Sequence, residues 1–83
     1  MKKVISALAN DDFTLDLRFE DGCCKKFDFA PYLDFPVFIE LKDRQYFRDI
    51  KIAFGTVQWR NGQDISPDTL YLEGTESKET VEV

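Results

Sequence analysis

The clearest pattern in the chain is a strict alternation of apolar and polar residues from position 13 to position 20. Successive side chains of a β-strand point to opposite faces, so the alternation predicts a strand with one buried face and one wet face. Shorter segments of similar character lie on either side, at residues 4–8 and 24–29. Polar turn residues separate the three segments, which predicts a three-stranded antiparallel meander.

The parity of the apolar positions predicts how the second and third strands pair. A two-residue turn at Asp21-Gly22 would place charged residues of the third strand on the apolar face, which is costly. A three-residue loop, with Gly22 left-handed in a β-bulge, pairs Leu15 with Phe27 instead. We therefore predict the bulged loop.

Beyond residue 30 the pattern changes to short helical and hairpin signals. Two prolines within residues 31–36 predict a turn or a single helical turn. Asp43 is placed to cap a short helix, and the apolar stretches on either side of Gly55 predict a second hairpin. The run Ser66-Pro67-Asp68 is typical of a helix start, so we predict a short helix ending near Tyr71.

These elements predict an α+β fold: a three-stranded antiparallel meander, a short helix, a second β-hairpin and a short C-terminal helix. A chain of 83 residues is the size of one domain, which we place at residues 1–74. Residues 75–83 are polar, and we expect this tail to be disordered. The alternative is an added edge strand, because residues 80–83 alternate.

The composition of the chain argues against some classes of function. The formal net charge is −5, and the basic residues are scattered, which argues against binding of duplex nucleic acid. An acidic protein of this size is suited to a basic protein partner. No apolar run approaches the roughly 20 residues of a membrane span, and no signal peptide is evident, so we expect a cytoplasmic protein.

The residue types give little support to catalysis. The chain has no histidine, so it lacks the commonest general base and transition-metal ligand. The adjacent Cys23 and Cys24 do not have the spacing of a redox or zinc motif, and we expect Cys23 to face inward and Cys24 outward. Glycines occur singly, not in a phosphate-binding loop. We therefore expect no enzyme activity, no cofactor and no metal.

Two groups of residues are candidates for binding. Four aromatic residues follow one another in the middle of the chain and either close the core or form an interface for a partner protein: Tyr32, Phe35, Phe38 and Tyr46. Four others could form an aromatic-walled ligand pocket: Trp59, Asp64, Asp68 and Tyr71. The two aspartates have a simpler role as well, one in a tight turn and one on a helix dipole.

Several of these positions form a longer motif. It comprises Phe19-x-Asp21-Gly22, Asp28, Leu33, Phe38-x-x-Leu41-Lys42-Asp43, Phe47 and Trp59-x-Asn61-Gly62-x-Asp64-x-x-Pro67-Asp68-Thr69-Leu70-Tyr71. The motif resembles the bacterial domain-of-unknown-function family DUF2442. The resemblance implies a small α+β fold, and proteins that either stand alone or precede a helix-turn-helix. It also implies a gene arrangement like that of toxin–antitoxin pairs, but no catalytic or ligand residue. A helix-turn-helix pattern is not found in this sequence, so we expect no direct contact with DNA.

Our first hypothesis for function is a cytosolic interaction module that binds a basic partner protein, plausibly as an antitoxin-like neutraliser of a toxin. The alternative is a small-molecule-sensing or homodimerising domain with its pocket near Trp59. Charge, the surplus of aromatic residues and the resemblance favour the first.

Overall fold

The computed structural model describes residues 2–76, and it confirms the predicted α+β fold. Within these residues, six strands and two α-helices follow one another: β1 (Val4–Ala9), β2 (Thr14–Phe19), β3 (Cys24–Asp28), α1 (Arg44–Arg48), β4 (Lys51–Ala53), β5 (Thr56–Gln58), α2 (Pro67–Glu73) and β6 (Thr75–Glu76). A 3₁₀ turn at Ala30–Tyr32 and a 3₁₀ helix at Pro36–Lys42 connect β3 to α1. None of the helices in this part of the chain is long and apolar enough to cross a membrane.

The meander has the predicted register. In the four-stranded sheet, of order β1-β2-β3-β6, Leu15 lies opposite Phe27. Gly22 has a φ of +86°, the Phe19 N–H donates to the Cys23 carbonyl at 2.9 Å, and the Gly22 N–H donates to the Phe19 carbonyl at 2.9 Å. The bulged loop therefore keeps all the apolar residues of β2 on one face.

The core lies against that face, and its centre is aromatic. The rings of Phe29 and Trp59 lie 5.2 Å apart, and Phe47 is 5.9 Å from Phe29. All three side chains are fully buried. The Trp59 indole N–H donates to the Phe47 carbonyl at 2.8 Å, so burial of this ring leaves no unsatisfied donor.

Two tight loops hold the second half of the domain. Strands β4 and β5 join through Phe54-Gly55, both with positive φ, and the Val4 N–H donates to the Gly55 carbonyl at 2.9 Å. Trp59 and Gly62 repeat the hydrogen bonds of the β2–β3 loop, because the Trp59 N–H donates to the Gln63 carbonyl and the Gly62 N–H to the Trp59 carbonyl. Of the Asn-Gly pair, only the glycine has a positive φ.

The predicted helix starts are confirmed. The Asp43 carboxylate accepts the Gln45 N–H at 2.9 Å, and the Ser66 hydroxyl oxygen accepts the Asp68 N–H at 3.1 Å. These side chains satisfy backbone donors that have no partner within a first helical turn. Helix α2 ends two residues later than predicted, at Glu73.

The first two residues of the segment assigned to the tail, Thr75 and Glu76, form β6 and pair with Lys26 and Lys25 of β3. Residues 77–83, including the alternating positions 80–83, lie outside the described part of the chain.

Candidate functional site

The four candidate interface aromatics do not share one environment. Phe38 is only 7% exposed, and its ring packs edge-on against Phe29 at 5.0 Å. A 3₁₀ helix has three residues per turn, so Phe38 and Leu41 lie on the same face, and both are buried. Phe38 therefore belongs to the core, and an exposed role in partner binding does not fit its position.

Tyr32 and Phe35, in contrast, lie next to one another at the surface. Phe35 is 51% exposed, and its ring meets the half-buried Tyr32 edge-on at 5.6 Å. The other side of Tyr32 packs against Phe27 and Phe29, at 5.6 and 5.4 Å between ring centroids. Tyr32 thus connects the exposed ring of Phe35 to the rigid aromatic core.

Carboxylates border this aromatic pair. The Tyr32 hydroxyl donates to the Glu73 carboxylate of α2, and this bond, together with partial removal from water, raises the pKa of Tyr32. Asp34, between the two rings in sequence, is exposed and pairs with the Lys42 ammonium at 3.0 Å. We call Tyr32, Asp34, Phe35 and Glu73 the Tyr32–Phe35 surface.

Tyr46, the fourth candidate, is part of a polar network. Its hydroxyl donates to the Gln63 side-chain oxygen at 2.7 Å and accepts the Asn61 N–H at 3.0 Å. The amide groups of Asn61 and Gln63 in turn donate to the Glu40 carboxylate at 2.7 to 3.0 Å. The network fastens the loop after Trp59 to the 3₁₀ helix, so Tyr46 has a clear architectural role.

Glu40 and Gln63 had no place in the predicted site. Gln63 is a polar residue next to the Gly62 loop and Glu40 a polar residue between apolar ones, and neither signal reveals a partner more than twenty residues away. Tyr46 is likewise connected to this loop by contacts that depend on the whole topology.

Apart from Trp59 itself, the groove beside Trp59 is lined by other residues than those of the alternative pocket. A shallow groove of about 240 Å³ does lie beside Trp59, with walls from Asp49, Ile50, Lys51, Gln58 and Arg60. The other three proposed lining residues, Asp64, Asp68 and Tyr71, are not among its walls. An ion pair between Arg60 and Asp49 joins two of the wall residues.

The two aspartates and the tyrosine of that pocket have other surroundings. Asp64 forms an isolated bridge with Gln58, and the backbone of Asp68 is part of the start of α2. Tyr71 packs edge-on against Phe19 at 4.9 Å, and its hydroxyl donates to Asp21 at 3.2 Å. Within residues 2–76, no three cysteine or carboxylate side chains converge as metal ligands.

The cysteines are half-buried and free. Cys23 packs against the core, as predicted. Cys24 lies opposite Arg18, on the other face of the sheet.

The family model described as "Protein of unknown function (DUF2442)" matches residues 4–76. The match covers nearly the whole chain and includes every element of the fold. The chain belongs to the DUF2442 family. Comparisons with curated proteins and with solved structures give no match.

Several residues of the DUF2442 motif have a structural role in the core or in the loops. Gly22 and Gly62 take positive φ in two loops of the same design, and Trp59 forms the centre of the core. Asp21 accepts hydrogen bonds from the Cys23 N–H and from Tyr71. These motif residues stabilise the fold of the DUF2442 domain. Candidates for a functional surface are therefore exposed residues outside the motif.

Proposed function

We propose that this DUF2442 domain is a cytoplasmic protein-interaction module that binds a basic partner protein through the Tyr32–Phe35 surface, as an antitoxin binds its toxin. The observation that carries the proposal is the half-exposed Phe35 ring, held edge-on against a tyrosine whose hydroxyl is fixed by Glu73. The proposal describes binding and not catalysis.

The physical case rests on rigidity and charge. An aromatic side chain held by neighbouring rings loses little conformational freedom on binding, which is typical of residues that dominate interface energy. Asp34 and Glu73 border the ring pair, and the chain as a whole has a net charge of −5. Lys42 balances the charge of Asp34, so the Glu73 carboxylate and the overall net charge are what favour encounter with a basic surface.

The ionisable groups with shifted pKa values take part in contacts within the fold. Among residues 2–76, the groups with shifted pKa values are Lys2, Asp12, Asp21, Tyr32 and Tyr71. The Thr14 hydroxyl lowers the pKa of Asp12, whereas burial, followed by the nearby Asp21 carboxylate, raises the pKa of Tyr71. Three of these groups, Lys2, Asp21 and Tyr71, contact one another and connect the β2–β3 loop to α2 and to the residues before β1.

The test is co-expression of the tagged domain with the product of the neighbouring gene, followed by size exclusion with light scattering. A complex of fixed stoichiometry is the expected result. Phe35→Ser should weaken it about thirtyfold, the loss typical of an interface hot spot. The matched control is Leu8→Ser, because Leu8 is also an exposed apolar residue but lies on β1.

Two outcomes would contradict the proposal. One is a domain that remains free in the presence of the co-expressed protein. The other is a complex that Phe35→Ser and Leu8→Ser weaken equally, which would place the interface elsewhere. The thermal midpoint of each variant, measured alone, separates loss of binding from loss of folding.

A further inference from the structure

The loop after Trp59 contains a chemically fragile pair of residues. Asn61 is the only asparagine in the sequence that a glycine follows. In such a pair the glycine nitrogen can attack the asparagine carboxamide, because glycine has no side chain to hinder the close approach of its backbone. The other asparagine, Asn10, precedes Asp11, whose side chain hinders the same approach. Spontaneous deamidation of this chain is therefore expected first at Asn61.

The reaction has two steps and needs only water. The Gly62 nitrogen forms a bond to Cγ of Asn61, its proton passes through water to Nδ2, and the Cγ–Nδ2 bond breaks with release of ammonia. Water then opens the resulting cyclic imide at either carbonyl, which leaves aspartate or isoaspartate at this position. Both reacting groups, the Gly62 N–H and the Asn61 carboxamide, must be free to move before the ring can close.

The fold holds both reacting groups in place. The Gly62 N–H donates to the Trp59 carbonyl at 2.9 Å. The Asn61 carboxamide nitrogen donates to both oxygens of the Glu40 carboxylate, at 2.9 and 3.0 Å. The Asn61 N–H donates to the Tyr46 hydroxyl at 3.0 Å, so this residue is held by its backbone as well as by its side chain. Ring closure therefore requires that the loop first open locally and lose these bonds.

We propose that Asn61 is a deamidation site that Glu40 keeps slow, and that its conversion to an acid releases the loop from the 3₁₀ helix. The product has a second carboxylate beside Glu40, at the place where the carboxamide now donates. Two carboxylates at hydrogen-bond distance repel one another, and neither has a proton to donate. The reaction therefore removes the Asn61 link of the network and leaves that of Gln63, whose amide donates to Glu40 at 2.7 Å. Because ammonia is lost, the change does not reverse.

The test is the rate of deamidation of the full chain in mildly alkaline buffer, followed by mass spectrometry of the proteolytic peptide that contains Asn61. Enzymatic methylation of isoaspartate identifies the product. The same chain unfolded in urea gives the rate of the unprotected pair. The native chain should react at least about tenfold more slowly, which corresponds to a free energy of local opening of about 1.4 kcal/mol or more.

Substitutions of Glu40 separate its role from that of the Gly62 bond. Glu40→Ala removes the acceptor and should speed deamidation of the native chain about tenfold, as for loss of a hydrogen bond to a charged group. Glu40→Gln keeps the size of the side chain and an acceptor oxygen, and should give a smaller increase. Glu73→Ala is the matched control, because Glu73 also accepts a side-chain hydrogen bond, but from Tyr32, and this change should leave the rate unaltered. The thermal midpoint of each variant shows whether it is folded during the incubation.

Asn61→Asp tests the second part of the proposal, because it supplies the acid product directly. At neutral pH the variant should unfold at a lower urea concentration than the wild type. Adding Glu40→Gln should restore most of this loss, since a glutamine amide can donate to the new carboxylate while its oxygen still accepts from Gln63.

Three results would overturn the proposal. Equal rates for the native and the urea-unfolded chain would show that the loop gives no protection. Equal rates for folded Glu40 variants and Glu73→Ala would show that Glu40 does not control the reaction. An Asn61→Asp variant as stable as the wild type, with no gain from Glu40→Gln, would show that the acid product leaves the loop attached.

Discussion

Tyr71 on α2 donates a hydrogen bond to the carboxylate of Asp21, 3.2 Å away and 50 residues earlier in the chain. The same carboxylate accepts the Cys23 N–H at 2.9 Å and pairs with the Lys2 ammonium at 3.2 Å. One side chain therefore connects the β2–β3 loop, the last helix and the residues before β1. Lys25 adds to this connection, since its ammonium lies 4.3 Å from the centre of the Tyr71 ring.

Asp21 should make stability depend on pH in the acidic range. The Cys23 N–H, followed by Lys2 and Tyr71, lowers the pKa of Asp21. A carboxyl group with a lowered folded pKa stabilises the fold above its unfolded pKa of about 4, and this contribution is lost as pH falls through the folded value. We expect urea unfolding to show a lower free energy for Asp21→Asn than for the wild type near pH 6, with convergence below about pH 3.

The control for this prediction is Asp64→Asn, which changes an exposed carboxylate just after the second glycine loop. It should shift the unfolding free energy little, because no side-chain hydrogen bond or ion pair joins the Asp64 carboxylate to another residue in the described part of the chain. Equal stability of Asp21→Asn and wild type near neutral pH would show that the three contacts of Asp21 do not support the fold.

Truncation of Phe38 should lower the free energy of unfolding much more than truncation of Phe35, three positions earlier in sequence. Phe38→Ala removes a buried ring and should cost about 3–5 kcal/mol in unfolding free energy. Phe35→Ala removes a half-exposed ring with one aromatic neighbour and should cost about 1 kcal/mol or less. Urea unfolding followed by far-UV circular dichroism measures both. A larger loss for Phe35→Ala would mean that the exposed ring is a structural element and not a binding one.

The strand β2 and the helix around Phe38 differ in how well the sequence predicts which side chains are buried. The alternation in β2 has a period of two, so it predicts which face of the strand is buried. It also predicts the bulged register, because a shift of the pairing by one residue would move the apolar side chains to the solvent face. The 3₁₀ helix that contains Phe38 has only seven residues. A repeat of three residues cannot be recognised in so short a sequence segment. The sequence therefore did not predict that Phe38 and Leu41 form the buried face of this helix.

The candidate site was predictable only in part for a related reason. Caps and glycine turns act within a few residues, so Asp43, Ser66 and Gly22 could be assigned from local chemistry. The bonds of Tyr32 to Glu73 and of Tyr46 to Gln63 connect distant segments, and no local pattern encodes them. The exposure of Phe54 follows from its place at a turn of two residues, where a strand-like apolar run reverses direction.

Trp59 should contribute to stability both as a ring and as a donor. It is fully buried, so Trp59→Ala should cost about 3–5 kcal/mol. Trp59→Phe keeps much of the ring but leaves the Phe47 carbonyl without its donor, which should cost about 1–3 kcal/mol. Because the chain has one tryptophan, unfolding has to be followed by circular dichroism. A Trp59→Phe variant as stable as wild type would show that the hydrogen bond adds nothing to the packing.

Gly62 should be required for its backbone conformation and not for space. Its φ is +88°, yet a Cβ at this position would meet no atom within 4 Å. Gly62→Ala should therefore cost only the left-handed penalty of about 1–2 kcal/mol, and Gly62→Asn should cost less, because asparagine tolerates this region. Thermal and urea unfolding of the two variants measure the difference. Equal losses for alanine and asparagine would indicate that the loop, together with Tyr46 and Glu40, has rearranged instead of straining at one residue.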